Sequence, residues 1–225
     1  MKIIPFLTSI LLLLTLNSPA LANETTDDLS SISSDLPIII GNERFSIKVS
    51  QNHENGSTKL KFTPSGFQTN EIFSEEADGS IYQVFVSDYD TDGNDEFYFV
   101  TLPGGSGGYS NIIAFEAKGS ASLEKIPYTY LNREHAAGIG YKGNDRFTFG
   151  EKGIYNSFQV YNFSDPNCCP TGGQRSVMYE LKNKNGTQKL IPTKFWGNEV
   201  TDPGPKNIEA FNEALEYIQK MRGIE

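Results

Sequence analysis

Short β-favouring runs separated by turn residues recur along most of this 225-residue chain. The clearest pair, at 97–102 and 111–115, flanks a glycine-rich loop and has the length expected of strands. Similar runs lie at 38–40, 45–49, 59–63, 81–86, 146–149, 155–161, 176–181 and 189–195. Strands this short, with turns this frequent, favour antiparallel pairing over a parallel α/β arrangement. We therefore predict an all-β domain, either an antiparallel β-sandwich or a related β-sheet domain.

The two ends of the chain differ from this β region, which we place at 37–203. Residues 1–22 have a basic start, a short apolar run and a small-residue end, which predicts a cleaved secretory signal peptide. Residues 23–36 are polar and lack aromatic side chains, so we expect a flexible leader. Residues 204–225 predict an amphipathic C-terminal α-helix docked on the sheet. Its apolar positions are Ile208, Phe211, Leu215 and Ile218.

The net charge restricts the class of partner. The chain has 19 basic and 28 acidic residues, and removal of the signal peptide leaves 18 minus 28, a net charge of −10. This acidity argues against nucleic acid and against anionic membranes, which select basic surfaces. A cationic protein partner would be attracted, although the acidity also fits a secreted protein that only needs to stay soluble.

The glycine-rich loop is the first candidate site. Between the two clearest strands, four glycines leave Ser106 and Tyr109 as the only side chains of residues 104–109, so the backbone can approach another surface closely. Ser106 has the flanking glycines of a nucleophile, but a nucleophile elbow needs a strand-to-helix turn. The chain has only two histidines, and no acid, base and nucleophile converge in its sequence. We therefore expect a binding loop and not an enzyme.

An acidic turn between two β-favouring runs is the second candidate site. Its oxygen-bearing side chains belong to Asp88, Asp90, Asp92, Asn94 and Glu96. Hard oxygen ligands around a glycine, here Gly93, are typical of calcium sites, and the spacing resembles the calcium loops of integrin-type propeller repeats. The motif occurs once, whereas a propeller should repeat it. The alternative is a solvated turn without an ion.

The only two cysteines, Cys168 and Cys169, are adjacent. Neighbouring Cα atoms lie about 3.8 Å apart, closer than in an ordinary disulfide, so an oxidised pair would be comparatively reducible. Because an exported protein tends to be oxidised, we predict a vicinal disulfide that stiffens the loop between Pro166 and Pro170. A disulfide-linked homodimer and a free dithiol are the alternatives.

Four motifs in register give the chain a family resemblance. From 45 through 195 it resembles the periplasmic inhibitors of invertebrate-type (i-type) lysozyme found in Gram-negative bacteria. The motifs are the acidic turn at 90–96, the Ser-Gly-x-Tyr loop at 106–109, Gly-Tyr-x-Gly at 140–143, and Pro-Thr-Gly-Gly-x-Arg at 170–175. The adjacent cysteines depart from the family pattern.

The resemblance implies a periplasmic lysozyme inhibitor whose loop enters the active-site cleft of the enzyme. The loop residues would be Ser106, Gly107, Gly108 and Tyr109. A second loop would lie beside it, with Pro170, Thr171, Gly172, Gly173 and Arg175, and we favour a structural role for Arg175. An i-type lysozyme is the favoured target, with c-type and g-type enzymes as alternatives. A calcium-dependent adhesion or carbohydrate-binding module is the alternative function.

Overall fold

The computed structural model describes residues 27–28, 37–41, 44–54, 57–103, 108–131, 136–184 and 187–198. Within them the regular secondary structure is β-strand apart from one short 3-10 helix at Ala136–Gly138. The strands are β1 (Asp27–Asp28), β2 (Ile38–Gly41), β3 (Ser46–Glu54), β4 (Ser57–Ser65), β5 (Phe73–Ala77), β6 (Gly79–Ser87), β7 (Glu96–Pro103), β8 (Asn111–Lys118), β9 (Ser122–Ile126), β10 (Arg146–Gly150), β11 (Gly153–Gln159), β12 (Gln174–Lys184) and β13 (Thr187–Gly197).

Consecutive strands pair antiparallel to form three sheets. β2 to β5 form the first sheet, β6 to β9 form the central sheet, and β10 to β13 form the third. The two-residue β1 pairs with β6 and extends the central sheet to five strands. Short connections between neighbouring strands favour this antiparallel hairpin plan. The predicted all-β fold is therefore confirmed.

The central sheet is packed on both faces, which gives three layers and two hydrophobic cores. Along β7, Phe97 and Phe99 pack with the first sheet, because alternate side chains point to opposite faces. Tyr98 and Val100 point the other way and pack with the third sheet. The continuous apolar sequence of β7 follows from burial on both faces. Ring stacking of Phe85 in the central sheet on Phe149 in the third, with centroids 4.4 Å apart, joins these layers.

The strand directions place the two candidate sites far apart. β7 begins in the acidic turn at Glu96 and leads towards the glycine-rich loop, and β8 returns from that loop to the acidic end. At roughly 3.3 Å per residue, a strand of this length separates the two by about 25 Å. The sites therefore lie at opposite ends of the central sheet.

Several predictions for the chain ends lie outside the described residues. They are the signal peptide at 1–22, all of the leader at 23–36 except the two residues of β1, and the helix at 204–225. Among the residues that the structure describes, no helix has the length and apolar character needed to cross a bilayer.

Candidate functional site

The acidic turn, residues 88–96, is shaped by its own side chains. The Asp88 carboxylate accepts hydrogen bonds from the backbone N–H groups of Asp92 (3.0 Å) and Gly93 (2.9 Å). The Asp92 carboxylate accepts one from the backbone of Asn94 at 2.8 Å. Gly93 adopts a φ of 87°, which favours glycine. One carboxylate oxygen from each of Asp88, Asp90, Asp92 and Glu96 lies within 4.8 Å of the others, so the cluster could hold a metal ion.

Glu96 is the buried member of this cluster. It is 0 % exposed, and its Oε2 accepts the backbone N–H of Tyr89 at 2.7 Å. Its Oε1 has no hydrogen-bond partner among the described residues. Burial, with smaller contributions from the charges of Asp90 and Asp88, raises the pKa of Glu96 to about 8. Burying a carboxylate oxygen without a hydrogen-bond partner lowers the stability of the fold. A cation bound among these oxygens would give Oε1 of Glu96 a partner.

Contacts from other elements fix the acidic turn in place. The side chain of Gln188, on β13, donates a hydrogen bond to the Asp90 carboxylate. Asn94 accepts the backbone N–H of Gly119 at 2.9 Å with its side-chain oxygen. The Tyr89 hydroxyl donates to the carbonyl of Gly153 at 3.3 Å. The turn is thus attached to the third sheet as well as to the central one.

At the other end of the sheet, the described part of the glycine-rich loop packs on the Gly-Tyr-x-Gly segment. The carbonyl of Gly108 accepts the backbone N–H of Asn144 at 2.8 Å. Tyr109 is 53 % exposed. Its ring packs edge-to-face with the ring of Tyr141, with centroids 5.5 Å apart. Ser106 and Gly107 lie outside the described residues. Tyr109 therefore presents its ring to solvent from a fixed base.

Asp145 is the buried anchor of this end. It is 8 % exposed, and it accepts hydrogen bonds from the backbone N–H of Ser110 (2.9 Å), the Tyr141 hydroxyl (2.7 Å) and the Asn156 amide (2.6 Å). Burial raises the pKa of Asp145, and these three hydrogen bonds oppose the shift. The residue after Tyr109 is thereby tied to β11 and to the Gly-Tyr-x-Gly segment.

The raised pKa of Asp145 predicts a pH dependence of stability. As pH rises above about 3.9, the unfolded chain releases this proton while the folded protein retains it, so the contribution of Asp145 to the free energy of unfolding falls until the raised pKa is passed. Urea unfolding at several pH values should show that the free energy of unfolding of the wild type falls relative to that of Asp145→Asn as pH rises between these two pKa values. A parallel pair of pH profiles would contradict the prediction.

The second predicted loop is built around Asp165 and the cysteine pair. The predicted vicinal disulfide between Cys168 and Cys169 is present, and both residues are exposed. The Asp165 carboxylate accepts the Thr171 hydroxyl at 2.7 Å and the Thr171 backbone N–H at 2.8 Å, which lowers the pKa of Asp165. The two ends of this disulfide loop, residues 162–171, are thereby held together.

Residues of the Pro-Thr-Gly-Gly-x-Arg motif hold the disulfide loop against the rest of the domain. Arg175 is buried, and its guanidinium donates to the carbonyls of Ala137 (2.9 Å), Ile139 (2.7 Å) and Asn198 (2.9 Å). A Cβ on Gly172 would lie 2.7 Å from the carbonyl oxygen of Val160, so this position needs glycine for close backbone approach.

The structure thus brings three of the four motifs together, and we call their described parts the loop surface: residues 108–110, 140–145 and 161–175. Comparison with family models, with curated proteins and with solved structures gives no match. The fourth motif, the acidic turn, lies at the far end of the central sheet.

Sequence reasoning missed the residues that connect these segments. Gln188 and Asp165 contact the candidate residues Asp90 and Thr171. Asp145 and Tyr161 contact the Gly-Tyr-x-Gly motif at 140–141. None of these contacts was predicted. Asp145 lies two residues after the Gly-Tyr-x-Gly segment, and its position before a strand was the one local signal available. Gln188 lies 98 positions from its partner Asp90, and no local pattern indicates that contact.

Proposed function

We propose that the protein is an exported, periplasmic inhibitor of lysozyme that covers the active-site cleft of the enzyme with its loop surface. The observation that carries the proposal is the convergence of the three loop motifs. They are separated by tens of residues in the chain, yet Asn144, directly after the Gly-Tyr-x-Gly motif, bonds the backbone of Gly108. Arg175 of the third motif donates to the carbonyl of Ile139, directly before Gly140. Motifs that occur in the order of the inhibitor family thus support one another at one end of the fold.

The chemistry of the loop suits a lysozyme cleft. Lysozymes cleave glycan between two carboxyl groups, one protonated and one ionised. A hydroxyl such as that of Ser106 can donate to the ionised group and accept from the protonated one. Tyr109 offers an exposed ring and a second hydroxyl. The net negative charge would speed the encounter with a cationic enzyme and contribute less to final affinity.

The test is residual lysis of peptidoglycan by purified i-type, c-type and g-type lysozymes, each titrated with the protein starting at residue 23. We expect saturable inhibition of one class near a one-to-one ratio, with i-type favoured. A folded protein that inhibits none of the three, with calcium supplied, would overturn the proposal.

Replacing Tyr109 with alanine should weaken inhibition at least tenfold while leaving the fold intact. The ring is more than half exposed, so its removal costs little stability, whereas an aromatic anchor at the centre of an interface carries much of the binding energy. Combining it with Ser106→Ala should abolish inhibition. The measurements are inhibition titrations together with urea unfolding.

Ile72→Ala is the matched control for the Tyr109 variant. Ile72 is 50 % exposed and follows the segment in which Thr69 bonds the backbone of Ala121, at the acidic end of the sheet. Wild-type inhibition is expected from this variant. If the two variants lose inhibition equally, the binding surface does not centre on Tyr109.

For the acidic turn we propose calcium as the bound ion. The four carboxylates form a hard oxygen site, which is the chemistry that calcium prefers. One of them, Glu96, has an oxygen that finds no hydrogen-bond partner in the part of the chain that the structure describes. The same observation favours the second candidate function, a calcium-dependent adhesion or carbohydrate-binding module. That function predicts ligand binding that is lost on chelation and is insensitive to changes at Tyr109.

A further inference from the structure

One chain of hydrogen bonds joins the disulfide loop to the base of the glycine-rich loop. The carbonyl of Asn167, next to Cys168, accepts the Tyr161 hydroxyl at 3.0 Å. The side chain of Asn144 donates to the same hydroxyl at 3.1 Å, and its backbone N–H donates to Gly108 at 2.8 Å. These bonds link Asn167 to Gly108, the residue that precedes Tyr109.

The disulfide constrains the residues at the start of this chain. The Cys168–Cys169 bond closes a small ring that includes the peptide bond between the two residues, so their backbone torsions are restricted. The N–H of Cys169 donates to the carbonyl of Pro166 at 3.0 Å, which closes the turn around Asn167. Breaking the ring restores torsional freedom beside the Asn167 carbonyl, and the position of that carbonyl then depends on weaker contacts.

The pair is also open to chemical attack. Both cysteines are exposed, so a thiolate can reach either sulfur. Adjacent residues hold their Cα atoms 3.8 Å apart, below the usual range for a disulfide, and such bonds are more easily reduced than ordinary structural ones.

We propose that the Cys168–Cys169 disulfide is a redox control of the loop surface: its reduction by a dithiol loosens the base of the glycine-rich loop and weakens lysozyme binding. The second part rests on the proposed inhibitory function. A thiolate of the dithiol attacks one cysteine sulfur, which breaks the Cys168–Cys169 bond, releases the other cysteine as a thiolate and forms a mixed disulfide. The second thiolate of the dithiol then attacks the dithiol sulfur of that mixed disulfide and releases the first cysteine as a thiolate. The two cysteines gain two electrons and two protons, and the dithiol leaves as a cyclic disulfide.

The structural part is tested by amide NMR spectra of the full mature protein before and after reduction with dithiothreitol. We expect the amide signals of Gly108, Tyr109 and Asn144 to shift or broaden, and that of Gly119, at the acidic end, to stay unchanged. Unchanged signals at Gly108 and Asn144 would overturn the proposal whether or not the protein inhibits lysozyme.

Tyr161→Phe is the matched variant for the coupling. It keeps the ring beside Lys142, whose ammonium lies 4.7 Å from the ring centroid, and removes the hydroxyl that joins Asn144 to Asn167. In this variant reduction should still shift the signals of Cys168 and Asn167, and it should no longer shift that of Gly108. A Gly108 response equal to that of the wild type would overturn the proposed route.

The functional part compares oxidised protein with the double variant Cys168→Ser, Cys169→Ser, so that no reductant reaches the enzyme. We expect at least fivefold weaker inhibition by the double variant, with the spectrum of the β-sheet amides unchanged. Equal inhibition by both proteins would overturn the redox control alone. Oxidised protein that inhibits no lysozyme would overturn the proposed function, and the control of inhibition with it.

Discussion

Replacing Asp145 with alanine is expected to lower the free energy of unfolding by on the order of 3–5 kcal/mol. The carboxylate is buried and is the shared acceptor for Ser110, Tyr141 and Asn156. Without it, three donors lose their acceptor in a site that water reaches poorly, and each unsatisfied buried group costs about 1–3 kcal/mol. A change of this size is a large fraction of the total stability of an ordinary domain.

Asp145→Asn separates the loss of acceptors from the change in shape. The asparagine oxygen can accept from Ser110 and Tyr141, and its amide then faces Asn156. The side-chain oxygen of Asn156 has no partner among the described residues, so rotation of that amide would supply the missing acceptor. We expect a loss of about 1 kcal/mol for this variant. Urea unfolding followed by circular dichroism measures the free energy of unfolding of both variants. Equal losses of stability in Asp145→Ala and Asp145→Asn would contradict the hydrogen-bond argument.

The same variant bears on function. Because Ser110 directly follows Tyr109, losing the Asp145 anchor should also free the exposed ring. Asp145→Ala is therefore expected to weaken inhibition even at temperatures where it is fully folded, whereas Asp145→Asn should inhibit nearly as well as the wild type.

The strands that the sequence predicted are those with a strong apolar signal. β7 and β8 read as continuous apolar runs because both faces are buried, although the sequence reasoning did not deduce a third layer from this. β5 and β9 were missed. Each lies at the edge of its sheet, and the sequences FSEEA and SLEKI are short and largely polar. Position at an edge is not the reason by itself, since the edge strands β2, β10 and β13 were predicted; the short, largely polar sequences are.

The two candidate sites also differ in how well the sequence predicts them. The carboxylates of the acidic turn are close in sequence, so their clustering in space follows from a single glycine turn. The loop surface depends on contacts between segments tens of residues apart, such as Gly108 with Asn144. In the sequence only the family resemblance groups those segments, and it does not indicate the hydrogen bonds of Asp145 or Tyr161 that hold them together.

The separation of the two sites predicts different roles for them. An ion about 25 Å from Tyr109 cannot contact a protein bound at the loop surface. It would instead join the layers, since Gln188 and Tyr89 connect the acidic turn to the third sheet. Calcium should therefore change stability strongly and inhibition weakly, whereas the alternative function predicts that calcium and ligand binding are lost together.

Calcium is expected to raise the melting temperature of chelator-treated protein by about 5–10 °C. An ion at 100 times its dissociation constant adds about 2.7 kcal/mol to the folded state. For a domain of this size each kcal/mol moves the melting temperature by roughly 2–4 °C. Differential scanning calorimetry with calcium and with magnesium measures the shift, and magnesium should act more weakly because it needs a stricter geometry and keeps its water.

Glu96→Gln should remove this response without destabilising the protein in the absence of calcium. The change deletes the buried carboxylate, and the new amide can donate to the neighbouring carboxylates of Asp88 and Asp90. Glu124→Gln makes the same substitution at an exposed position on β9 and should keep the full calcium shift. A Glu96 variant that responds like the wild type would place the ion elsewhere, and a wild type without any shift would leave the acidic turn as a solvated turn. Loss of stability in Glu96→Gln before calcium is added would mean that the carboxylate is already satisfied without an ion.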